Sequence, residues 1–171
     1  MKRLKAIGRL TFVFVVSCFS LAVIAQTNTT KLYDPNANAA ADIEAAIRKA
    51  ATENKFVLIQ AGGNWCGWCI EFARFCKADP QIDTVIKNSF VEYHLNYSKE
   101  NRNDALFSTF GNPQHLGFPV FIILNGKGER IHTQSSAVLE NGGKSYDQEK
   151  VLDFLDNWTP KSFAGKTFDK Q

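Results

Sequence analysis

The chain has 171 residues, 44% of them hydrophobic, and a net charge of +3, a size that fits one domain with an appendage. Residues 1–25 hold four bases and no acid, so the remainder carries a net charge of −1. That leaves no basic field for nucleic acid. Of the four cysteines, Cys66, Cys69 and Cys76 stand close together, an odd and small set that does not make a disulfide framework.

The chain opens with Lys2, Arg3, Lys5 and Arg9, followed by an apolar run from Leu10 to Ala25 and a polar stretch from Gln26. This is the layout of a secretory signal peptide over residues 1–25, too short to span a bilayer comfortably. An uncleaved N-terminal anchor is the alternative. A lipoprotein site at Cys18 is opposed by the apolar residues that follow it. The expected location is periplasmic or secreted, with no stable membrane span after cleavage.

Residues 26–37 are polar, contain Asp34-Pro35-Asn36, and are expected to form a linker. The domain is expected over 38–160. Its alanine-rich start predicts a helix to about Asn54, with Ile43, Ala46, Ile47 and Ala50 on one face. Phe56 to Ile59 reads as a buried strand and Ala61 to Asn64 as a loop. A helix is expected from Gly67 to about Lys77, with Cys69, Phe72, Ala73 and Cys76 on one face. A second follows from Pro80 to Asn88. Phe90 to Leu95 reads as a strand, Ala105 to Phe110 as a short helix, and Val120 to Leu124 as the strongest strand. Asn125-Gly126-Lys127-Gly128 predicts a hairpin turn into Arg130–Thr133. Residues 136–146 read as a loop, Gln148 to Trp158 as an amphipathic helix, and 161–171 as a tail without pattern. The order implies an α/β sandwich with a central mixed β-sheet flanked by helices, one of them an extra N-terminal helix.

Trp65-Cys66-Gly67-Trp68-Cys69 places a C-x-x-C pair just after a buried strand and at a helix start. Unpaired N–H groups and the helix dipole favour negative charge there and lower a thiol pKa from about 8.5. Cys66 is therefore expected to be the exposed attacking sulfur, and Cys69, on the core face, the resolving one. Half of a zinc site is another reading of the pair, but Cys76, His94, His115 and His132 form no second close pair. No histidine follows Cys69, so haem attachment is not indicated. A purely structural Cys66–Cys69 disulfide closes too small a loop to constrain much chain entropy. Cys76, about 10 Å along the helix from Cys69, reads as a buried small hydrophobe. His115 reads as a surface loop histidine. Three glycosylation triplets, at Asn28, Asn96 and Asn157, are common by chance.

The stretch Lys55 to Cys69 resembles the active-site strand and helix start of the thioredoxin superfamily, and Gly117-Phe118-Pro119-Val120 resembles its second signature. The resemblance extends in element order over residues 40–158. It implies a thioredoxin-like fold and a cis peptide bond before Pro119. It also implies thiol–disulfide exchange on protein substrates by Cys66 and Cys69, with an upstream thiol reductant and no cofactor or metal; the reductase direction is expected from the uncharged Gly67-Trp68 pair between the cysteines. Trp65, Gly67, Trp68, Phe118 and Pro119 would shape the substrate site. Three residues depart from the pattern. Gln60 stands where the family has a buried acid, so proton management must pass to water or another group. Gly67-Trp68 adds no charge between the cysteines, and Arg74 replaces a helix-kinking proline. A thioredoxin-like module that binds a protein or metal without turnover is the alternative function.

Overall fold

The computed structural model describes residues 31–164; the expected signal segment and Cys18, residues 26–30 of the linker, and residues 165–171 of the tail lie outside them. Four strands form one mixed sheet in the order β2-β1-β3-β4. Strand β1 (Phe56–Gly62) lies parallel to β2 (Phe90–Asn96) and antiparallel to β3 (Val120–Leu124), which pairs in turn with β4 (Arg130–Ser135). The parallel pair is connected by two helices, α2 (Gly67–Ala78) and α3 (Pro80–Ser89), as a parallel pair requires a crossover.

Helix boundaries follow local capping chemistry. The Asn38 side chain accepts from the Ala41 N–H at 3.3 Å to start α1 (Ala39–Glu53), and Asn54 ends it in the left-handed conformation. Asp79 closes α2 and opens α3, where its carboxylate accepts from the Gln81 and Ile82 N–H groups at 2.9 and 3.1 Å. Pro80 supplies the first residue of α3, a position with no N–H to satisfy. Asp147 starts α5 (Gln148–Asn157) in the same way, and α4 (Asp104–Thr109) is a short piece between β2 and β3.

The alternating pleat of the central strands feeds two cores. Val57, Ile59 and Ala61 of β1, with Val120, Ile122 and Leu124 of β3, bury against α1 and α4. Leu58, Phe121 and Ile123 point the other way, into Phe72 and Cys76 of α2, Ile82 and Ile86 of α3, and Val151, Phe154 and Leu155 of α5.

Four stretches differ from the sequence reading. Strand β1 runs on to Gly62 through residues read partly as loop, because Ala61 still pairs with Val120 and Gly62 with Asn96. The loop 136–146 contains a short 3-10 turn at Ser136–Leu139 and a buried tyrosine, Tyr146. Pro160 starts a further short helix, α6 (Pro160–Phe163), capped by Thr159 and held by edge contact of Phe163 with Phe56. Residues 31–37 pack onto the domain: Tyr33 is wholly buried, its backbone bound on both sides by the Asn64 amide at 3.1 and 2.7 Å.

Phe121 lies between Phe72, with ring centroids 4.4 Å apart, and Phe154 at 5.5 Å. Phe121→Ala is expected to cost about 3–5 kcal/mol in denaturant unfolding, through lost burial and the cavity left behind. A loss below about 1 kcal/mol would mean that this core closes over the gap.

Candidate functional site

The site begins where β1 ends. Gly62 faces α2, and a Cβ there would overlap the Cys69 sulfur and sit 3.0 Å from the Tyr33 hydroxyl oxygen. Gly63 is equally restricted, since a Cβ would meet the Trp65 indole and come within 2.9 Å of the Tyr97 carbonyl oxygen. The two glycines let the strand turn tightly into α2 with Cys66 as its N-cap residue.

Cys66 and Cys69 form a disulfide with Cα atoms 5.2 Å apart. The Cys69 N–H donates to Cys66 Sγ at 3.1 Å, and the Cys69 and Ile70 N–H groups reach the Cys66 carbonyl at 3.1 and 3.2 Å. The sulfur at position 66 thus caps the first turn of α2 and accepts its Cys69 N–H, the environment that favours a thiolate once the bond is reduced. Cys69 is fully enclosed, as expected from its helix face. Cys66 was expected to be exposed but keeps only 6% of its surface. Its side chain lies in a cluster with Tyr33 and Cys69, flanked by Leu32, Trp68 and Phe118.

The second signature packs onto this cluster. The Phe118–Pro119 peptide bond is cis. The Phe118 ring lies against the cysteine cluster and contacts the rings of Trp65 at 5.5 Å and Tyr97 at 5.0 Å. Trp65 is 60% exposed, with its indole N–H donating to the Tyr97 carbonyl at 2.7 Å. Trp68 is half-buried, edge-on to Tyr146, whose hydroxyl donates to the Trp68 carbonyl at 3.0 Å. A Cβ on Gly67 would meet nothing within 4 Å. Beside Trp65 runs a groove of about 380 Å³, lined by Tyr97, Ser98, Lys99, Glu100 and Arg102. Within that lining Arg102 donates to the Tyr97 hydroxyl at 2.6 Å.

Behind the disulfide lies a polar cluster that sequence reading identified in one member alone. The Gln60 amide nitrogen donates to the Tyr33 hydroxyl at 2.7 Å and to the Cys69 carbonyl at 2.9 Å. His94, opposite Gln60 in the β1–β2 register, sets its ring edge-on to Tyr33 at 5.6 Å. Burial pushes the Tyr33 phenol up, against a smaller opposing effect of the Gln60 hydrogen bond. Burial also holds His94 down, at about 4. Tyr33 was missed because it is a single aromatic residue in a polar stretch. His94 was legible once Phe56–Gly62 and Phe90–Asn96 are paired in parallel, since that register sets it beside Gln60.

The remaining candidates lie elsewhere. Cys76 is buried among the α2, α3 and α5 side chains, and burial pushes its thiol up. His115 is on the surface, its Nδ1 2.6 Å from the Asn112 carbonyl oxygen, and His132 stacks on Trp158 at 3.9 Å. Arg74 makes a paired contact with Glu71, 2.7 Å at both oxygens; with Ser145 it holds that carboxyl at about 2. Among the described residues, no three His, Cys, Asp or Glu side chains converge to hold a metal, and no helix is long and apolar enough to cross a membrane.

A sequence profile described as thioredoxin-like matches residues 38–126, more than half of the chain. No curated protein matches the sequence. Among solved structures, a disulphide isomerase from Xylella fastidiosa Temecula1 is similar at 20% identity and a TM-score of 0.65, covering 75% of this chain and 97% of its own. A thioredoxin from Thermus thermophilus has 18% identity and a TM-score of 0.48, covering 67% of this chain and 81% of its own. The oxidised C-terminal domain of DsbD from Neisseria meningitidis has 16% identity and a TM-score of 0.46, covering 69% of this chain and 95% of its own.

His94 makes stability depend on pH. Its folded pKa of about 4 lies below the ordinary value of 6.5, so between the two the unfolded chain binds more protons. Stability therefore falls as pH drops through that window. Urea midpoints at pH 7 and pH 4.5 are expected to show this fall in the parent and a shallower one in His94→Gln. Equal slopes would place the acid sensitivity in other groups.

Proposed function

Because the chain belongs to the thioredoxin-like family, we propose that it is a thiol–disulfide oxidoreductase acting as a reductase on disulfides of other proteins. The observation that carries this reading is Cys66 Sγ at a helix N-cap, accepting the Cys69 N–H while bonded to the Cys69 sulfur. An attacking thiolate and its resolving partner need that arrangement.

In the reduced protein, the Cys66 thiolate attacks one sulfur of a client disulfide. The client S–S bond breaks, its other sulfur leaves as a thiolate that takes a proton from water, and a mixed disulfide forms at Cys66. Cys69 gives up its proton to solvent and attacks Cys66 Sγ. The mixed bond breaks, the second client thiolate leaves and is protonated, and the Cys66–Cys69 bond closes. Two electrons have then passed to the client, and an external dithiol must return them.

Trp65, Gly67, Trp68, Phe118 and Pro119 shape the client site in this reading. Exposed Trp65 with its groove gives an apolar wall. Gly67 leaves open space next to Cys66. Phe118 offers backbone N–H and C=O to an extended chain. Gly67 and Trp68 add no charge to stabilise the Cys66 thiolate, which favours a reductant over a strong oxidant. With residues 1–25 read as an export signal, the working compartment is the periplasm and the clients are exported proteins.

Titration against glutathione or dithiothreitol, followed by tryptophan fluorescence, is expected to give a potential near about −270 mV. A value between about −180 and −120 mV would reverse the direction to isomerase or oxidase. Cys69→Ser is expected to accumulate client adducts through Cys66. Absence of both a reversible couple and adducts would leave a binding module instead.

A further inference from the structure

A buried resolving thiol must ionise to act, and a thiolate in an apolar enclosure is costly without a donor. In this chain the residue beneath the disulfide is Gln60, which cannot titrate. We propose that the Tyr33 hydroxyl supplies what Gln60 cannot: a hydrogen bond to the Cys69 thiolate during the resolving step. This inference rests on the oxidoreductase reading above.

The geometry fixes which way each group donates. The Gln60 nitrogen lies 2.9 Å from the Cys69 carbonyl oxygen, a group that only accepts, so the amide orientation is set. The same nitrogen donates to the Tyr33 oxygen at 2.7 Å. Tyr33 is therefore the acceptor on that side, and its own proton is left for another partner. The Tyr33 hydroxyl and the Cys69 sulfur converge on the bare Cα of Gly62, where a Cβ would crowd both. Tyr33, Cys66 and Cys69 form one buried cluster.

The neighbouring groups leave this role to Tyr33. From β2, His94 is neutral above about pH 4 and meets the Tyr33 ring edge-on. From the loop before α5, burial holds the Tyr146 phenol in its protonated form, and its hydroxyl is donated to the Trp68 carbonyl. From α2, Cys66 is bonded to the client at this stage. From β1, Gln60 is occupied as described. Tyr33 itself stays protonated, since burial opposes its ionisation. It acts as a donor to the anion and never as a base. The Cys69 proton goes to solvent, Cys69 Sγ bonds to Cys66 Sγ, and the client sulfur leaves with the electron pair. The hydrogen bond from Tyr33 lowers the Cys69 pKa and so raises the fraction ready to attack.

Stopped-flow tryptophan fluorescence of the reduced full chain mixed with excess oxidised glutathione separates the two steps. A concentration-dependent phase reports attack by Cys66, and a concentration-independent phase reports resolution by Cys69. In Tyr33→Phe the first phase is expected to keep its rate. The second should slow roughly tenfold, with its pH midpoint moved up by about one unit. Replacing Tyr33 with 3,5-difluorotyrosine keeps the hydroxyl and its packing but strengthens it as a donor, and should move the midpoint down. Equal slowing of both phases in the Phe variant, or an unmoved midpoint in the fluorinated protein, overturns the proposal. A parent protein that shows no reversible Cys66–Cys69 couple instead overturns the oxidoreductase reading itself.

Discussion

Strand β1 ends on a residue that can carry no side chain. At Gly62 the Cys69 sulfur and the Tyr33 hydroxyl already occupy the space a Cβ would need. The close approach of α2 to the sheet follows from this, and so do the enclosure of Cys69 and the seat of Cys66 at the helix N-cap. Strand β1 is buried along its length and paired on both edges as far as Ala61, with Gly62 still paired to Asn96 of β2. A reacting pair set there inherits its position from the sheet.

Around that point the structure separates two environments within one turn of helix. Cys66 meets the Cys69 N–H and a partly open rim that includes Gly67 and the exposed face of Trp65. Cys69 meets a sealed pocket of Tyr33, Gln60 and apolar side chains. The first environment favours an anion through hydrogen bonds and the helix dipole, and the second penalises one through desolvation. Identical thiols are thereby given different environments by position alone. The same contrast explains why Cys76 is chemically quiet: it has the burial of Cys69 without a sulfur partner, and its thiol is pushed up accordingly.

The N-terminal arm has a larger part than its polar composition implies. Asn64, in the turn between β1 and α2, holds the Tyr33 backbone on both sides, and Asn101 donates to the Pro35 carbonyl at 3.0 Å. These contacts tie the arm to the turn before α2 and to the loop after β2. A segment that reads as a spacer becomes one wall of the site, which couples the integrity of the arm to the chemistry of Cys69.

Much of the fold was legible from residues that act on their immediate neighbours. Asn38, Asp79 and Asp147 cap helices through side-chain bonds that span two or three residues, and the apolar run Val120–Leu124 declares a buried strand by itself. The C-x-x-C spacing places two sulfurs within bonding reach of one another on a single helical turn. The sequence alone therefore determined the order of elements, the Cys66–Cys69 pair and its place at a helix start. Tertiary structure alone decided that Gly62 belongs to the strand, that Cys66 is drawn under cover, that His94 stands beside Gln60, and that Tyr33 reaches Cys69 from 36 positions away. The physical reason is range. Capping, periodicity and turn chemistry act over a few residues and are written in neighbouring letters. A hydroxyl docked beside a distant sulfur depends instead on closing long loops and on packing that only the assembled sheet provides.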